Sequence, residues 1–352
     1  MKETTRFNGE RYEVGLLWRE DDVKLPNNFF SAMGQLKSLE RRFQKDEALK
    51  KRYQDTIDTD VNAGYVRKVE QTELNETRDK LQWYLPHHPV INPHKPEKVR
   101  RVCNAAAKYQ GVSLNDKLLS GPDLLQSLIG IIFRFREHEI ALSADIEAMF
   151  LQVAVPTDDS RCLRFLWRET PEQRIDVYEY TRHVFGAKSS PTCANYALHQ
   201  VARDNAKNDE ALVKTVQRNF YMDDFLKSVK TSQEGIDIYN RVREVLSKGG
   251  FKLTKWITSD EDVKSQIPQE EMSTKAVKTL EVEPQSSSIL GLNWNVDSDS
   301  LVVCRGIDQE VPAKITQRAV LSFISAVFDP IGICSAFTIR MRFLLKSIWA
   351  SM

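Results

Sequence analysis

The chain has 352 residues, 41% hydrophobic and 28% charged, so it can form two or three packed units and is not globally disordered. Lysine and arginine number 50 against 49 acidic residues, which gives a net charge of +1. This balance excludes binding of nucleic acid through bulk positive charge and leaves room for a local basic patch. The five cysteines are scattered, which indicates buried thiols in a reducing compartment rather than a disulfide frame or a zinc site.

The start of the chain lacks the apolar core of a secretory signal. The longest apolar runs, such as residues 128–133, are far too short to span a bilayer. We therefore expect an intracellular, soluble protein that is not secreted and has no membrane partner.

Helical spacing is the first structural signal in chain order, and it predicts that the first sixty residues are helical. Two amphipathic helices with charged residues on their other faces account for it. Their apolar positions are Phe29, Met33, Leu36, Leu39 and Phe43 in the first helix, and Leu49, Tyr53, Ile57 and Val61 in the second. Asn27 and Asn28 suit an N-cap region, and Gly64 suits a C-terminal cap.

Residues 85–96 are rich in proline and histidine, a composition that favours extended chain and turns over helix. His87, His88 and His94 lie here and would serve either a hydrogen-bonded turn or a metal site. No acidic or thiol partner stands at ligand spacing, so the turn is favoured. A strongly basic strand is predicted next, from Lys98 to Asn104.

The rest of the chain mixes strands and helices without a regular βαβ rhythm, which predicts an α+β protein. The predicted strands are residues 140–145 and 220–229, and the predicted helices follow Gly121-Pro122-Asp123 and cover residues 191–203, 235–248 and most of the last forty. The polar stretch over residues 258–288 is expected to be a surface excursion.

The sharpest local signal is Tyr221-Met222-Asp223-Asp224, which lies between apolar-aromatic runs and predicts a tight hairpin turn. Adjacent carboxylates in an apolar hairpin are costly unless a cation compensates their charge, and Mg²⁺ prefers such oxygen ligands. On its own, the tetrapeptide does not separate a metal site from an ordinary Asp-Asp turn that faces solvent.

Asp145 ends a second apolar strand and makes the metal site the better interpretation. A carboxylate at one strand end, beside two more on a neighbouring hairpin, can hold two metal ions roughly 4 Å apart. Such a pair activates a sugar 3′-hydroxyl and stabilises a pyrophosphate leaving group. Taken alone, Asp145 would be a strand-terminating cap.

These acids stand in the order and approximate spacing of a known set of motifs. Asp145 resembles motif A of reverse transcriptases, residues 185–191 resemble motif B, and residues 221–224 resemble motif C. Other segments narrow the resemblance to BEL/Pao long-terminal-repeat retrotransposons and extend it over nearly the whole chain. They are RYEVGL at 11–16, WYLPHHPV at 83–90, SLND at 113–116, GPDLL at 121–125, FLW at 165–167 and FDPIG at 328–332.

The resemblance implies a metal and nucleotide site. Its expected catalytic residues are Asp145, Asp223 and Asp224, and these three with Ile146 are the expected metal ligands, for two Mg²⁺ ions with Mn²⁺ as a substitute. Its expected nucleotide-binding residues are Lys98, Arg100, Ile146, Phe150, Phe185, Gly186, Met222 and Lys255.

Some of these residues have a specific expected role. Phe150 resembles the aromatic steric gate under the nucleotide sugar, although a core phenylalanine is equally open from the sequence. Arg100 resembles an arginine that pairs with triphosphate, against the alternative of a solvated edge-strand charge. Lys255 resembles a lysine that protonates departing pyrophosphate, and Leu290 with Gly291 resembles the primer-grip hairpin.

The resemblance also implies a right-hand polymerase of the α+β class with fingers, palm and thumb. The expected divisions are a helical N-terminal extension over residues 1–64, fingers and palm over 65–300, and a thumb-like helical region over 301–352. The C-terminal part is similar to a segment grouped as the Pao retrotransposon peptidase family, but no Asp-Thr-Gly or Asp-Ser-Gly supports proteolysis. Nothing is expected to remain beyond the thumb for an RNase H.

The implied function is RNA-directed DNA polymerisation by a fragment of a retrotransposon polyprotein. Its expected partners are an RNA or DNA template with primer, deoxynucleoside triphosphates, and the RNase H, integrase and Gag parts of the polyprotein. The expected location is a cytoplasmic virus-like particle, or the nucleus. A truncated or co-opted fragment that binds nucleic acid without catalysis is the alternative, whereas Phe150 argues against an RNA-dependent RNA polymerase because its ring would exclude ribonucleotides.

Overall fold

The computed structural model describes residues 1–77, 80–92, 95–273, 286–302 and 316–350, without the side chains of Lys95 and of residues 286–288. Contacts divide the chain into two units, each built from three separate segments. The first unit comprises Met1–Leu124, Ala148–Val213 and Val245–Phe251, and the second comprises Leu125–Glu147, Lys214–Glu244 and Lys252–Met352.

Helices and strands alternate irregularly along the described ranges. The helices are α1 (Phe29–Phe43), α2 (Glu47–Asn62), α3 (Gln71–Glu76), α4 (Leu114–Lys117), α5 (Leu128–Phe135), α6 (Thr157–Ser160), α7 (Ser190–Asn205), α8 (Glu210–Asn219), α9 (Ser232–Ser247), α10 (Glu261–Ser265), α11 (Gln317–Ala326) and α12 (Ser335–Ala350). The strands are β1 (Thr5–Phe7), β2 (Tyr12–Val14), β3 (Val66–Lys68), β4 (His87–Asn92), β5 (Lys95–Cys103), β6 (Ile140–Ile146), β7 (Arg164–Trp167), β8 (Asp176–Tyr180), β9 (Phe220–Tyr221), β10 (Asp224–Val229), β11 (Leu253–Thr258), β12 (Ser286–Ile289), β13 (Leu292–Asn295) and β14 (Ser300–Val302). Short 3₁₀ turns include Met149–Gln152.

The first unit is built on an antiparallel sheet in the order β3-β8-β7 and on the β4–β5 hairpin. The apolar faces of α1 and α2 pack on this framework, and the aromatic centre of the core includes Tyr53, Phe165 and Trp167. One buried ion pair joins neighbouring strands, because Arg164 Nε lies 2.9 Å from Glu179 Oε2. The spacing-based prediction of α1 and α2 is confirmed by their buried faces.

The second unit contains the sheet that carries the acidic residues. Its four strands run in the order β11-β6-β10-β9 and are antiparallel throughout. Helix α5 packs beside β10, and Phe135 meets Trp294 of the β12-β13-β14 sheet edge to face, with ring centroids 5.0 Å apart. The Asp329 carboxylate accepts the backbone N–H groups of residues 332–334 between α11 and α12, which accounts for the aspartate of the FDPIG segment.

The structure corrects three predicted elements. Residues 1–28 contain no α-helix but one 3₁₀ turn, Lys2–Thr4, because β1 and β2 pair as a hairpin that buries Tyr12 and Val14. Helix α5 begins only at Leu128, since the Ser127 hydroxyl caps it by accepting the Gly130 N–H. The described part of the polar stretch after residue 258 holds buried Val263, and residues 274–285 lie outside the described ranges. The division into residues 1–64, 65–300 and 301–352 stays a prediction.

No helix in the described ranges has both the length and the apolar character needed to cross a lipid bilayer.

Candidate active site

The register of the second unit's sheet brings the three predicted acids together. Strands β6 and β10 pair antiparallel with Asp145 directly opposite Asp224, so both side chains emerge on the same face. Asp223 precedes Asp224 in the turn that joins β9 to β10. The backbone fixes this turn to β6, because Ile146 N–H donates to the Asp223 carbonyl over 2.8 Å. The predicted cluster at one end of the sheet is therefore what the backbone forms.

The predicted hairpin is confirmed, and its loop is two residues long. Tyr221 pairs with Asp224, which leaves Met222 and Asp223 as the loop. Met222 has a φ of +55°, in the left-handed region that costs roughly 1 kcal/mol for a residue with a Cβ. A strained non-glycine residue next to a candidate catalytic acid is a feature of functional sites.

Lys255 reaches the acid cluster because of a bulge. Strand β11 pairs regularly with β6 up to Thr254 opposite Asp145, and the register shifts before Ile257. Lys255 lies in this irregularity with a φ of +55°. Its Nζ donates to Asp145 Oδ1 over 2.8 Å.

The environment of the Asp224 carboxyl group strongly perturbs its pKa. Burial raises its pKa to about 7, and the nearby charges of Asp223 and Asp145 raise it further, whereas Lys255 opposes the shift. The charged form of the Asp224 carboxyl group is therefore disfavoured in the surroundings that the fold provides.

The donor set fits a hard divalent cation. Carboxylate oxygens from Asp145, Asp223 and Asp224 are the ligands that Mg²⁺ prefers, and a bound cation would relieve the repulsion that raises the pKa of Asp224. In the described ranges, no three His, Cys, Asp or Glu side chains already stand in a ready-made metal cage. The ammonium of Lys255 holds one of the three carboxylates, so these donors are close without being arranged for coordination.

Two predicted nucleotide-binding residues of the first unit form an aromatic pair. The Phe150 and Phe185 ring centroids are 4.5 Å apart with an angle of 41° between planes. Phe150 is 6% exposed in the 3₁₀ turn Met149–Gln152, whereas Phe185 is 56% exposed. Gly186 follows with a φ of +107°, a conformation that favours glycine.

Strand β5 places its basic residues on opposite faces. Lys98 and Arg100 are exposed, which leaves both available to an anionic ligand. The Arg101 side chain is only 2% exposed, pairs with Asp60, and lies over the Phe165 ring at 4.4 Å. The segment is therefore only partly a basic surface.

The predicted primer-grip residues form a tight hairpin turn. Ile289 pairs with Leu292, so Leu290 and Gly291 are the whole loop. Their φ values of +48° and +88° are both positive, as a type I′ turn requires. The hairpin is observed, and its role in holding a primer stays a prediction.

Of the histidines of the proline-rich segment, His87 is buried and has a structural role, whereas His88 is exposed. The Tyr53 hydroxyl lies 2.6 Å from His87 Nδ1, and His87 Nε2 lies 2.9 Å from the Leu166 carbonyl. Burial lowers the pKa of His87 to about 3, which keeps it neutral. His94 lies outside the described residues.

Asn115, in the SLND segment, has a structural role that the sequence motifs did not predict. The Asn115 amide bridges the loop after Phe185, because Nδ2 donates to the Gly186 carbonyl over 2.9 Å and Oδ1 accepts from Lys188 N–H over 2.8 Å. The available signal was the capping box of Ser113 and Asp116, which predicts a short helix start there.

Three solved structures of foamy viral protease–reverse transcriptase resemble this chain. The complex with an RNA/DNA hybrid has a TM-score of 0.53 at 14% identity, over 85% of this chain and 33% of that one. The complex with dsDNA has a TM-score of 0.51 at 17% identity, over 79% of this chain and 47% of that one. The dRH form in complex with ds DNA has a TM-score of 0.51 at 16% identity, over 78% of this chain and 39% of that one. The chain thus spans less than half the length of each, and the likeness concerns the α+β polymerase fold.

The family models match the chain in two places. The model described as reverse transcriptase (RNA-dependent DNA polymerase) matches residues 95–256, which include the acid cluster, Phe150 and Phe185. The model described as a Pao retrotransposon-like RNaseH-like domain matches residues 316–352, so the assignment of those residues to a thumb stays a prediction. No curated protein matches the chain. The predicted right-hand polymerase fold is confirmed, and the chain contains a reverse transcriptase (RNA-dependent DNA polymerase) domain over residues 95–256 and a Pao retrotransposon-like segment over residues 316–352.

Proposed function

We propose that the chain adds deoxynucleotides to a primer 3′-hydroxyl on an RNA or DNA template. The observation that carries this proposal is the β6–β10 register, which sets Asp145 opposite Asp224 with Asp223 in the adjoining turn. An acid cluster at a sheet end, with one carboxyl pKa raised to about 7, is suited to binding cations and poorly suited to a purely structural role.

Asp145, Asp223 and Asp224 are the proposed ligands of two Mg²⁺ ions, with the backbone at Ile146 holding the Asp223 turn in place. When bound, the ions would lower the pKa of the attacking hydroxyl and neutralise charge on the leaving pyrophosphate. Lys255, whose ammonium donates to Asp145, is the proposed donor of a proton or hydrogen bond to an anionic group at the same carboxylates.

The other predicted residues would bind and select the nucleotide. The exposed Lys98 and Arg100 suit triphosphate oxygens, because guanidinium and ammonium groups pair with phosphate. Phe150 follows Asp145 by five positions, and its buried ring is the proposed steric gate against a ribose 2′-hydroxyl.

The Pao retrotransposon match supports a setting for this activity. We assign as partners the RNase H, integrase and Gag parts of the polyprotein, in a cytoplasmic virus-like particle. The similar foamy viral structures are complexes with an RNA/DNA hybrid and with dsDNA, which supports a primer-template duplex as the nucleic-acid partner.

Primer extension on an RNA template with Mg²⁺ as the only divalent ion tests the proposal. Asp223→Asn should reduce extension by roughly 10³-fold or more, since metal stabilisation of developing charge is worth several kcal/mol. Asp22→Asn is the matched control, because that side chain is 87% exposed, and it should leave extension unchanged. Retained extension in Asp223→Asn would refute the assignment, and duplex binding without any extension by the unmodified chain would favour a non-catalytic fragment.

A further inference from the structure

The gate residue and its neighbour are held by different parts of the first unit. Phe150 sits in a 3₁₀ turn that follows Ala148, whose φ is +49°, and its ring is almost fully buried. Phe185 comes from the loop before α7 and covers the Phe150 ring with its own, exposed ring. Because the rings are in van der Waals contact, the freedom of Phe150 depends on where the loop holds Phe185.

The loop is pressed against the end of β5. A Cβ built on Gly186 would lie 2.2 Å from the Cys103 carbonyl oxygen, so only glycine allows this approach. The positive φ of Gly186 turns the chain there and sets the direction in which Phe185 leaves it.

Asn115 then fixes the loop from the other side. Its amide is used at both ends, since Nδ2 donates to the Gly186 carbonyl and Oδ1 accepts from Lys188 N–H. These bonds define one orientation of the amide and span residues 186–188, the three that follow Phe185. Asn115 is itself held, because its N–H donates to the Ala105 carbonyl over 3.0 Å and helix α4 starts in a complete capping box.

We propose that sugar selection is performed by the Phe150–Phe185 ring pair and that Asn115 is the positioning residue that keeps the pair together. The ligand class discriminated is the deoxyribonucleoside triphosphate against the ribonucleoside triphosphate. This inference rests on the proposed polymerase function and deepens it. If Phe150 alone selected the sugar, selection would not need the Asn115 bonds that hold the Phe185 loop.

Single-nucleotide incorporation with matched deoxy- and ribonucleotides on one primer-template tests the proposal. Asn115→Ala removes both loop bonds and should raise the ribonucleotide-to-deoxynucleotide ratio of kcat/KM by roughly tenfold, at the lower end of what one steric contact discriminates. Asn115→Asp keeps the acceptor for Lys188 N–H and loses the donor to Gly186, so its ratio should be intermediate. Asn75→Ala, which removes an exposed amide bonded to Gln71, should leave the ratio unchanged.

A double-mutant cycle separates positioning from general loosening. If Asn115 acts through Phe185, adding Asn115→Ala to Phe185→Ala should change the ratio no further than Phe185→Ala does alone. Additive effects, or a lowered melting temperature with an unchanged ratio, would overturn the proposal. If Asn115→Ala does not fold, the same ratio of kcat/KM is measured for Asn115→Asp and Phe185→Leu. A ratio that is unchanged in both variants overturns the proposal.

The two levels of inference fail differently. If the unmodified chain extends no primer, the polymerase function is wrong and the selectivity proposal falls with it. If the unmodified chain extends primers with a deoxynucleotide preference that Asn115→Ala leaves intact, only the ring-pair proposal is wrong.

Discussion

The Asp224 carboxyl binds its proton up to about pH 7 in the folded protein, whereas the ordinary value is 3.8, because burial and two neighbouring carboxylates oppose ionisation. Between pH 3.8 and about pH 7, the folded state holds a proton that the unfolded chain has lost, so the free energy of unfolding falls as the pH rises. We expect the free energy of unfolding in EDTA to fall by up to a few kcal/mol between pH 4 and pH 8 through this group. Asp224→Asn should lack that contribution.

Urea unfolding of the unmodified protein and of Asp224→Asn, at several pH values, measures the difference directly. Contributions from titrating groups that do not interact with Asp224 cancel in the comparison. A difference that stays constant with pH would show that the Asp224 carboxyl titrates normally in the fold.

The Lys255 ammonium occupies a carboxylate that a divalent ion would need. Lys255→Met should therefore increase Mn²⁺ affinity several-fold, because an exposed ion pair is worth roughly 0.2–1 kcal/mol and this lysine is 63% exposed. Calorimetry of Mn²⁺ binding measures the change without any catalytic step. Lys252→Met is the matched control, since Lys252 lies 3.7 Å from Glu147 and touches none of the three aspartates in the contacts described. Equal gains in both variants would point to a general charge effect.

Strand β5 places two adjacent arginines in different environments. Arg101→Ala should lower the free energy of unfolding by roughly 3 kcal/mol, because it leaves Asp60 without its partner and removes packing on Phe165. Arg100→Ala, on the exposed face, should change stability by less than about 0.5 kcal/mol and instead raise the KM for deoxynucleotides. Urea unfolding and single-nucleotide kinetics on both variants check the pair. Similar losses of unfolding free energy in the two variants would contradict the placement of Arg100 and Arg101 on opposite faces of β5.

The Leu290–Gly291 turn tests how much a glycine contributes beyond its backbone freedom. Gly291→Ala must hold a φ of +88° and place a Cβ 2.8 Å from the Phe328 ring, so we expect a loss of about 1–3 kcal/mol in unfolding free energy. Gly64→Ala has a φ of +69° with nothing within 4 Å, so it reports the backbone cost alone. The difference between the two variants, by thermal or urea unfolding, is the contribution of the contact with Phe328. Equal losses of unfolding free energy would mean that the Phe328 ring moves away from the added Cβ at no measurable cost.

Spacing along the sequence predicted the elements whose burial is one-sided. Helices α1 and α2 followed from apolar residues at helical intervals, and the turn at Met222 followed from acids between two apolar runs. Spacing failed at Arg101, because a charged residue that is buried by a partner 41 positions away looks like any other basic residue in a strand. It failed at Asn115 for the same reason, since both of its partners lie more than 70 positions later in the chain.

At the scale of the whole molecule, the α+β class and the order of motifs were predicted from the sequence, whereas the division into units was not. A net charge of +1 hides local arrangements such as the cluster of Asp145, Asp223 and Asp224 and the exposed pair Lys98 and Arg100. Sequence motifs locate residues along a line, and the antiparallel register then decides which of them share a face.

The segmented units have a consequence for synthesis on the ribosome. Strand β6 emerges early, but its neighbours β10 and β11 follow only after about 80 to 110 further residues, or roughly 5–20 s of translation. During that interval, an apolar strand has two open edges, which invites pairing with other nascent chains. The first unit likewise cannot be completed before its last segment, Val245–Phe251, has been synthesised. A yield that improves with slower initiation or with chaperone supply would follow from this order of emergence, because both reduce encounters between waiting chains.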